Sequence, residues 1–328
     1  MATRYLDKVG NSNLILDRPD AAGIGVVGSN VLVNIGGNLL SLTGVEPKSI
    51  YYVDANDGSD ASTNDGKSWS KAFLTMAKAF TSLASGDAVV FRGKVREQIT
   101  SPVGKFDVTI IGYGNRPRHA DASPAGSNDV ANTWTTPASA AATTPLVTVL
   151  QQGWRFVNIL FAGPTDAASV RLKRTAEGVD ENDGSHAEFI NCRFASGQDG
   201  IESHGGVSHV GIYGCSFTVL TGHAIKFTTG AGIGIPSRWE LLGNRFESNA
   251  NIMEAVGALD FRIQENTFMT TTTLTFDFTG GARNVVVRNN FNIAAADFDP
   301  AGGVTGSGAT DVWSNTLTAA IETGLPAN

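Results

Sequence analysis

From Trp154 onward the chain alternates apolar and polar residues over short runs, as in AEFIN, VGIYG, FRIQ and VVVR, each followed within a few residues by Phe or Leu. These positions are Phe161, Phe194, Phe217, Phe246, Phe268, Phe291 and Leu317, separated by 33, 23, 29, 22, 23 and 26 residues. Two places before them stand Ile159, Cys192, Cys215, Asn244, Asn266, Asn289 and Asn315. A period of two marks strands and excludes a helical solenoid. A recurrence of roughly 20–30 residues built from short strands predicts a coil whose turns bury their faces only by stacking on one another. A leucine-rich horseshoe is disfavoured, because the LxxLxLxxN phrase and a helix in every unit are absent.

Stacked turns lie about 4.8 Å apart, so equivalent side chains form columns. An Asn column at a corner satisfies backbone groups that a bend would leave unpaired. A Phe column stacks ring on ring inside the coil. Cys192 and Cys215 fall in the Asn column and read as small buried thiols in place of Asn, stacked rather than bonded. The structural ladder is therefore expected at Asn244, Asn266, Asn289, Asn315, Cys192 and Cys215, beside Phe194, Phe217, Phe246, Phe268 and Phe291.

Upstream the pattern changes. Residues 21–45 contain no charged side chain and read as two or three small strands joined at GSN and GGN. So apolar a meander needs a surface to dock on, either a partner or its own main domain, and Ile24, Val26, Val27, Val31, Leu32, Val33, Ile35, Leu39 and Leu40 are its candidate partner-binding residues. The segment EPKS (46–49) marks a boundary between an N-terminal module, 1–48, and a main domain, 49–328, with its clearest repeats over 154–317. Ala72, Phe73, Met76, Ala77, Phe80 and Leu83 keep helical spacing after Ser70, a suitable N-cap, and predict a capping helix over about 70–84 laid across the end of the stack. Strands are expected at 87–91 and 108–114, and a long excursion at 119–144.

Composition adds bounds. The 328 residues are 41% hydrophobic with 38 glycines, as expected of a globular chain of strands and tight turns. Lys plus Arg number 24 against 31 acids, a net charge of −7, which argues against a nucleic-acid partner. Two cysteines are too few for a disulfide scaffold. An apolar leader and an 18-residue apolar run are both absent, so the expectation is cytoplasmic synthesis without membrane insertion.

The segments YYVDANDGSDASTNDGKSWSKAFLTMAKAF and GDAVVFRG, with the pairs Asn244/Phe246, Asn266/Phe268 and Asn289/Phe291, resemble the right-handed parallel β-helix of the pectin-lyase-like superfamily over about residues 50–317. The resemblance implies an all-β fold with an N-terminal capping helix. Its members include lyases, hydrolases, epimerases, adhesins and bacteriophage spike or decoration proteins. A short apolar module ahead of the coil resembles the phage group. That likeness implies a homotrimer in the virion, attached to the major capsid protein or another virion protein through residues 1–48, with host surface glycan as a further partner.

Polysaccharide-cleaving members need clustered carboxylates on neighbouring turns. VDENDGSH supplies Asp180, Glu181, Asp183 and His186, and GQDGIESHGG supplies Asp199, Glu202 and His204. If the protein is an enzyme, Asp180, Asp183, Asp199 and Glu202 are its candidate catalytic residues, with Lys226 a candidate lyase base. The second phrase is similar to the polygalacturonase pattern, but Gly200 stands where a second Asp belongs and Ser203 precedes His204. Asp199-Gly200-Ile201 is matched one turn on by His223-Ala224-Ile225, as at a corner whose identity is free to vary. These acids are accordingly read as turn residues and solvated charges, with no catalytic residue. Asp54, Asp57, Asp60 and Asp65 are read as Asx-turn residues rather than metal ligands. Phosphate-loop, zinc and dinucleotide motifs are absent, and no cofactor is expected. The five Trp are spread along the chain and read as packing residues. The expected function is a non-enzymatic structural spike that decorates or cements a phage capsid; the alternatives are a tailspike-like depolymerase and a glycan-binding adhesin.

Overall fold

The computed structural model describes residues 47–114, 132–139, 141–174, 183–228, 234–247, 249–254 and 259–269, and the backbone of the further strands Tyr5–Val9, Ser12–Leu16, Ile24–Val27, Asn30–Ile35, Asn38–Ser41, Phe276–Asp277, Val286–Phe291, Phe298–Asp299, Trp313–Thr316 and Ile321–Glu322. From Ile50 on, the strands wind through three parallel faces. The first face runs from Ile50–Asp54 through Ala88–Arg96, Thr109–Gly112, Arg155–Val157, Glu188–Ile190, Ser208–Tyr213 and Ser237–Leu242 to Arg262–Gln264. The second begins on the far half of Ala88–Arg96 and continues through Asn132–Thr135, Leu160–Ala162, Arg193–Gly197, Ser216–Leu220 and Arg245–Glu247 to Thr267–Met269. The third stacks Ile99–Thr100, Val147–Val149, Ala168–Lys173, Asp199–His204, His223–Thr228 and Asn251–Glu254. Each turn of chain visits the three faces in order. The fold is all-β, a right-handed parallel β-helix, with the hand that strand twist imposes on parallel crossovers.

The phrase that recurs in the sequence is the second face. Trp134, Phe161, Phe194, Phe217, Phe246 and Phe268 are direct partners on successive turns, all essentially sealed from solvent. Their ring centroids lie 6.2, 5.1, 4.8, 5.0 and 5.0 Å apart. Ile110, Phe156, Phe189, Ile212, Leu241 and Ile263 form a matching inner column on the first face.

At the corner between these faces, the backbone and side-chain amides of Asn244 both donate to Asn266 Oδ1, at 2.9 and 3.0 Å. Asn266 Nδ2 donates to the Leu241 carbonyl at 3.1 Å, and Asn244 Oδ1 accepts from the Cys215 backbone at 2.8 Å. One turn back the acceptor is the Cys215 sulfur, 3.4 Å from the Cys192 amide. Both thiols are free and buried, and burial pushes the Cys192 thiol well above its usual range.

Several sequence expectations are corrected. The corner is also served by a second Asn file, one residue earlier, that the Phe alignment passes over. Asn158 and Asn191 take left-handed φ of 57° and 52°, which Asn tolerates well. Asn191 Nδ2 donates to Asn158 Oδ1 at 3.0 Å, and Asn158 Nδ2 to the Gly112 carbonyl at 2.8 Å. At the far end Arg288 pairs with Gln264, and in the same register Phe291 pairs with Thr267 rather than Phe268, while toward the next rung, Trp313–Thr316, the register shifts between Arg288 and Phe291. Phe291 is therefore one position off the ring column, and Asn289 does not keep the phase of Asn266. The side chains of Asn289, Phe291 and Asn315 lie outside the described residues; the Asn315 backbone pairs antiparallel with Glu322.

The capping helix is shorter than its apolar spacing predicts, Met76–Ser82, with Thr75 as N-cap. Ser70 belongs instead to a 3₁₀ turn, Trp69–Lys71, and Phe73 forms a bridge with Val53. The cause is a pair of distant carboxylates that capture the amides on either side of the start. Asp60 accepts from Leu74 and Thr75, at 2.8 and 3.2 Å, and Glu97 from Met76 and Ala77, at 2.8 and 2.9 Å. The lid role holds: Met76, Ala79 and Phe80 are buried, and the Phe80 ring meets Trp134 and Trp154 at 6.5 and 5.4 Å. The predicted excursion at 119–144 is also too long, since Asn132–Thr135 is a full rung of the second face.

Ahead of the coil, Ile24–Val27, Asn30–Ile35 and Asn38–Ser41 form an antiparallel three-stranded sheet of their own. It contains the backbone of all nine candidate partner-binding residues, whose side chains lie outside the described set. Tyr5–Val9 and Ser12–Leu16 form a further hairpin, with Gly10-Asn11 between two alternating runs as its turn signal.

Candidate functional site

The outer side of the third face gathers most of the candidate chemistry. Ile201 and Ile225 are register partners buried in the core, so alternation turns Glu202 and Lys226 outward. Arg171, Glu202 and Lys226 are partners on three successive turns. Arg171 Nε donates to Glu202 Oε2 at 2.7 Å, and Thr228 Oγ1 to Glu202 Oε1 at 3.0 Å. Both oxygens of Glu202 are thus taken by neighbouring turns.

Asp199, at the start of the same strand, is 3% exposed. Its Oδ1 accepts the His223 amide at 2.7 Å and lies 3.4 Å from His223 Nδ1, while Oδ2 lies 3.8 Å from Lys226 Nζ. Burial opposes its ionisation, but the hydrogen bonds from the His223 ring and amide and the Lys226 charge outweigh it and hold the carboxyl below the usual range. The corner reading of Asp199 and His223 therefore understates their coupling. Asp183 accepts the Ser185 amide and Gln152 Nε2, each at 2.9 Å, and lies 3.9 Å from Arg174 Nε. Asp180 and Glu181 lie outside the described residues. Of the reading as turn residues and solvated charges, the turn part fits Asp183, which accepts the Ser185 amide, while the solvated part is corrected: Asp183, Asp199 and Glu202 are ordered acceptors that also bind neighbouring turns. Arg171, Gln152 and Thr228 carry no local sequence signal, because their partners are 26 to 31 residues away.

A glycosidase's acid–base pair needs a carboxyl held protonated near neutral pH beside an ionised one. Glu97 is held above the usual range by burial, but it sits beneath the capping helix with its oxygens on Met76 and Ala77. A pH test follows from Asp199. Its folded pKa is lowered, so its contribution to stability is present above the ordinary Asp range, near pH 4, and is lost as pH falls through that range toward the folded value. Asp199→Asn is expected to narrow the stability gap to the parent protein as pH falls below ~4. Denaturant midpoints measured from pH 3 to 7 check this; parallel curves across that range would contradict it.

His186 and His209 stack with ring centroids 4.6 Å apart, and Arg238 Nη1 donates to His209 Nε2 at 2.9 Å. Burial, then the nearby His186 and Arg238, lower the His209 pKa. In the acidic loop, Asp54 Oδ1 accepts the Asn56 and Asp57 amides and Asp65 Oδ1 that of Lys67. These are Asx turns as the spacing predicts for Asp54 and Asp65, whereas Asp60 departs from that reading and accepts from Leu74 and Thr75 at the start of the capping helix. Among the described residues no group of three or more metal-ligating side chains converges, and no helix is long and apolar enough to cross a membrane. Trp134, Trp154 and Trp239 are fully buried packing residues, but Trp69 stands outside the coil.

The architecture places the chain in the class of right-handed parallel β-helices. A family profile described as "Right handed beta helix region" matches residues 161–317. Among known structures, pectate lyase Pel9A is similar at 14% identity, over 84% of this chain and 78% of that one, with a TM-score of 0.53. Carrot pectin methylesterase is 14% identical over 82% and 83% of the two chains, with a TM-score of 0.48. The enzymatically active domain of bacteriophage CBA120 tailspike protein 4 is 12% identical over 97% and 52%, with a TM-score of 0.32. At these identities the likeness is one of fold. No curated protein matches the chain in sequence.

Proposed function

We propose that the chain is a non-enzymatic structural protein of a bacteriophage particle, a homotrimeric β-helix spike held to the major capsid protein or another virion protein by residues 1–48. The observation that carries the non-enzymatic reading is the saturation of the candidate carboxylates. Asp183, Asp199 and Glu202 are bound to amides and cations of neighbouring turns, as in a surface built for cohesion. Rings and amides in register along the axis suit a stiff post. The separate antiparallel sheet at 24–41, whose sequence carries no charge, supplies the candidate adhesive element. Occupancy of many copies would stabilise a shell by linkage, since a ligand that binds only the assembled state shifts the equilibrium toward it.

The test is made on purified particles. The chain is expected among their proteins, in a copy number that distinguishes shell from tail, and deletion of residues 1–48 is expected to release it. Absence from particles removes the assignment. Digestion of host surface polysaccharide by the purified protein, lost on Asp199→Asn, would favour a depolymerase instead.

A further inference from the structure

Between the third face and the next pass of the first, the chain bends at one place on successive turns. The bending residues are Gly86, Asp107, Gly153, His186, His209, Arg238 and Asp260, all with left-handed φ between 56° and 83°. Each stands two residues before one of the register partners Ala88, Thr109, Arg155, Glu188, Gly211, Glu240 and Arg262, so they form a single file. A left-handed φ is uncommon outside glycine. The last four of these residues nevertheless carry functional side chains, and all four are exposed.

Those side chains meet in order. The His186 and His209 rings lie face to face, 6° from parallel. Arg238 Nη1 donates to His209 Nε2 at 2.9 Å, and Arg238 Nε lies 3.8 Å from Asp260 Oδ2. An arginine can donate only to a ring nitrogen that carries no proton, so the bond leaves the ring proton on Nδ1, 3.2 Å from Ser208 Oγ. Arg238 thus stands between an imidazole on the turn before it and a carboxylate on the turn after. Of these two acceptors only the imidazole is removed by a proton near neutral pH. On the His186 turn, Asp183 also faces the pair and favours protonation of His209, with Arg174 Nε 3.9 Å from its Oδ2. Burial, His186 and Arg238 oppose protonation and prevail.

We propose that this file is an acid-sensitive contact between turns, in which a proton on His209 Nε2 expels Arg238 Nη1 and the arginine passes to Asp260. Protonation sets donor against donor and places a positive ring between His186 and a guanidinium. Arg238 exchanges a bond to the turn behind for one to the turn ahead, and the corner at His209 loosens while the buried Phe column holds. The sign follows from the lowered His209 pKa. The contact is intact above the ordinary His range, near pH 6.5, and is lost as pH falls through that range toward the folded value. None of this depends on the chain belonging to a particle.

The test is hydrogen exchange of the full chain at pH 7.5 and 5.0, read by mass spectrometry and corrected for the intrinsic effect of pH. Peptides covering residues 207–211 and 236–240 are expected to exchange roughly threefold faster or more at pH 5.0. Those covering 199–204 are expected to stay unchanged, since Asp199 is still ionised there. His209→Asn tolerates the left-handed φ and takes up no proton, so it should abolish the difference. Arg238→Gln, at a side chain 61% exposed, should abolish it too, with a melting transition like the parent's. Asp260→Asn, which weakens the acceptor in the acid state, should widen it. The His209 ring resonance is expected to titrate below the ordinary His range and to move up in Arg238→Gln. The proposal is overturned by no acceleration at these peptides, by acceleration spread evenly over the coil, or by acceleration that His209→Asn or Arg238→Gln leaves intact. A difference that Asp260→Asn does not change, or a His209 titration that Arg238→Gln does not move, overturns it as well.

Discussion

Phe217→Ala is expected to destabilise the coil by about 4 kcal/mol, within the range for removing a fully buried Phe and leaving a cavity. Phe217 has no solvent exposure, and its ring stacks at 4.8 Å on Phe194 and 5.0 Å on Phe246. Two stacking contacts worth roughly 0.5–1.5 kcal/mol each disappear with it. Collapse around the hole is resisted because the rungs are pinned at strand spacing by their backbone bonds. Urea unfolding compared with the parent measures the loss, and a midpoint shift equivalent to less than ~1 kcal/mol would mean that the ring column is not a continuous packed file. Val103→Ala, at a side chain 64% exposed, is the control and should fall within about 0.5 kcal/mol.

Asn266→Ala is expected to cost about 2–4 kcal/mol, because a buried corner loses its acceptor and its donor together. Asn266 Oδ1 receives both the backbone and the side-chain N–H of Asn244, and its Nδ2 serves the Leu241 carbonyl. Truncation strands the Asn244 backbone amide in a site with no solvent exposure at Asn266 and 1% at Asn244. Asn266→Asp retains the acceptor, loses the donor and buries a charge, so it should be at least as harmful as alanine. Hydrogen exchange gives a local reading: the Asn244 amide should lose protection in Asn266→Ala by more than amides two turns away. Uniform change across the coil would place the defect elsewhere.

What the sequence disclosed follows from periodicity. Phe161 to Phe268 share a spacing narrow enough to align by eye, and a single alignment fixes the face, the inner column and the corner. Asn158 and Asn191 lie off that alignment, one residue before Ile159 and Cys192, which stand two places before each Phe. The phase error at Asn289 and Phe291 has a similar origin: identical letters conceal a one-residue offset that only the strand register reveals. The helix start was misplaced because Asp60 and Glu97 act on the amides of residues 74–77 from 14 to 21 residues away. Local pattern contains nothing of such long-range capture. The same limit hid the bond from Arg171 to Glu202 and the stacking of His186 on His209, since each joins side chains brought close only by winding.

Winding also fixes how such a molecule can change its reach. Turns touch only the turns above and below, so a gene segment encoding one whole circuit could be duplicated or lost with the neighbours still matched. Each such event would alter the length of the shaft by about 4.8 Å. Length would then evolve in discrete steps while both extremities kept their chemistry.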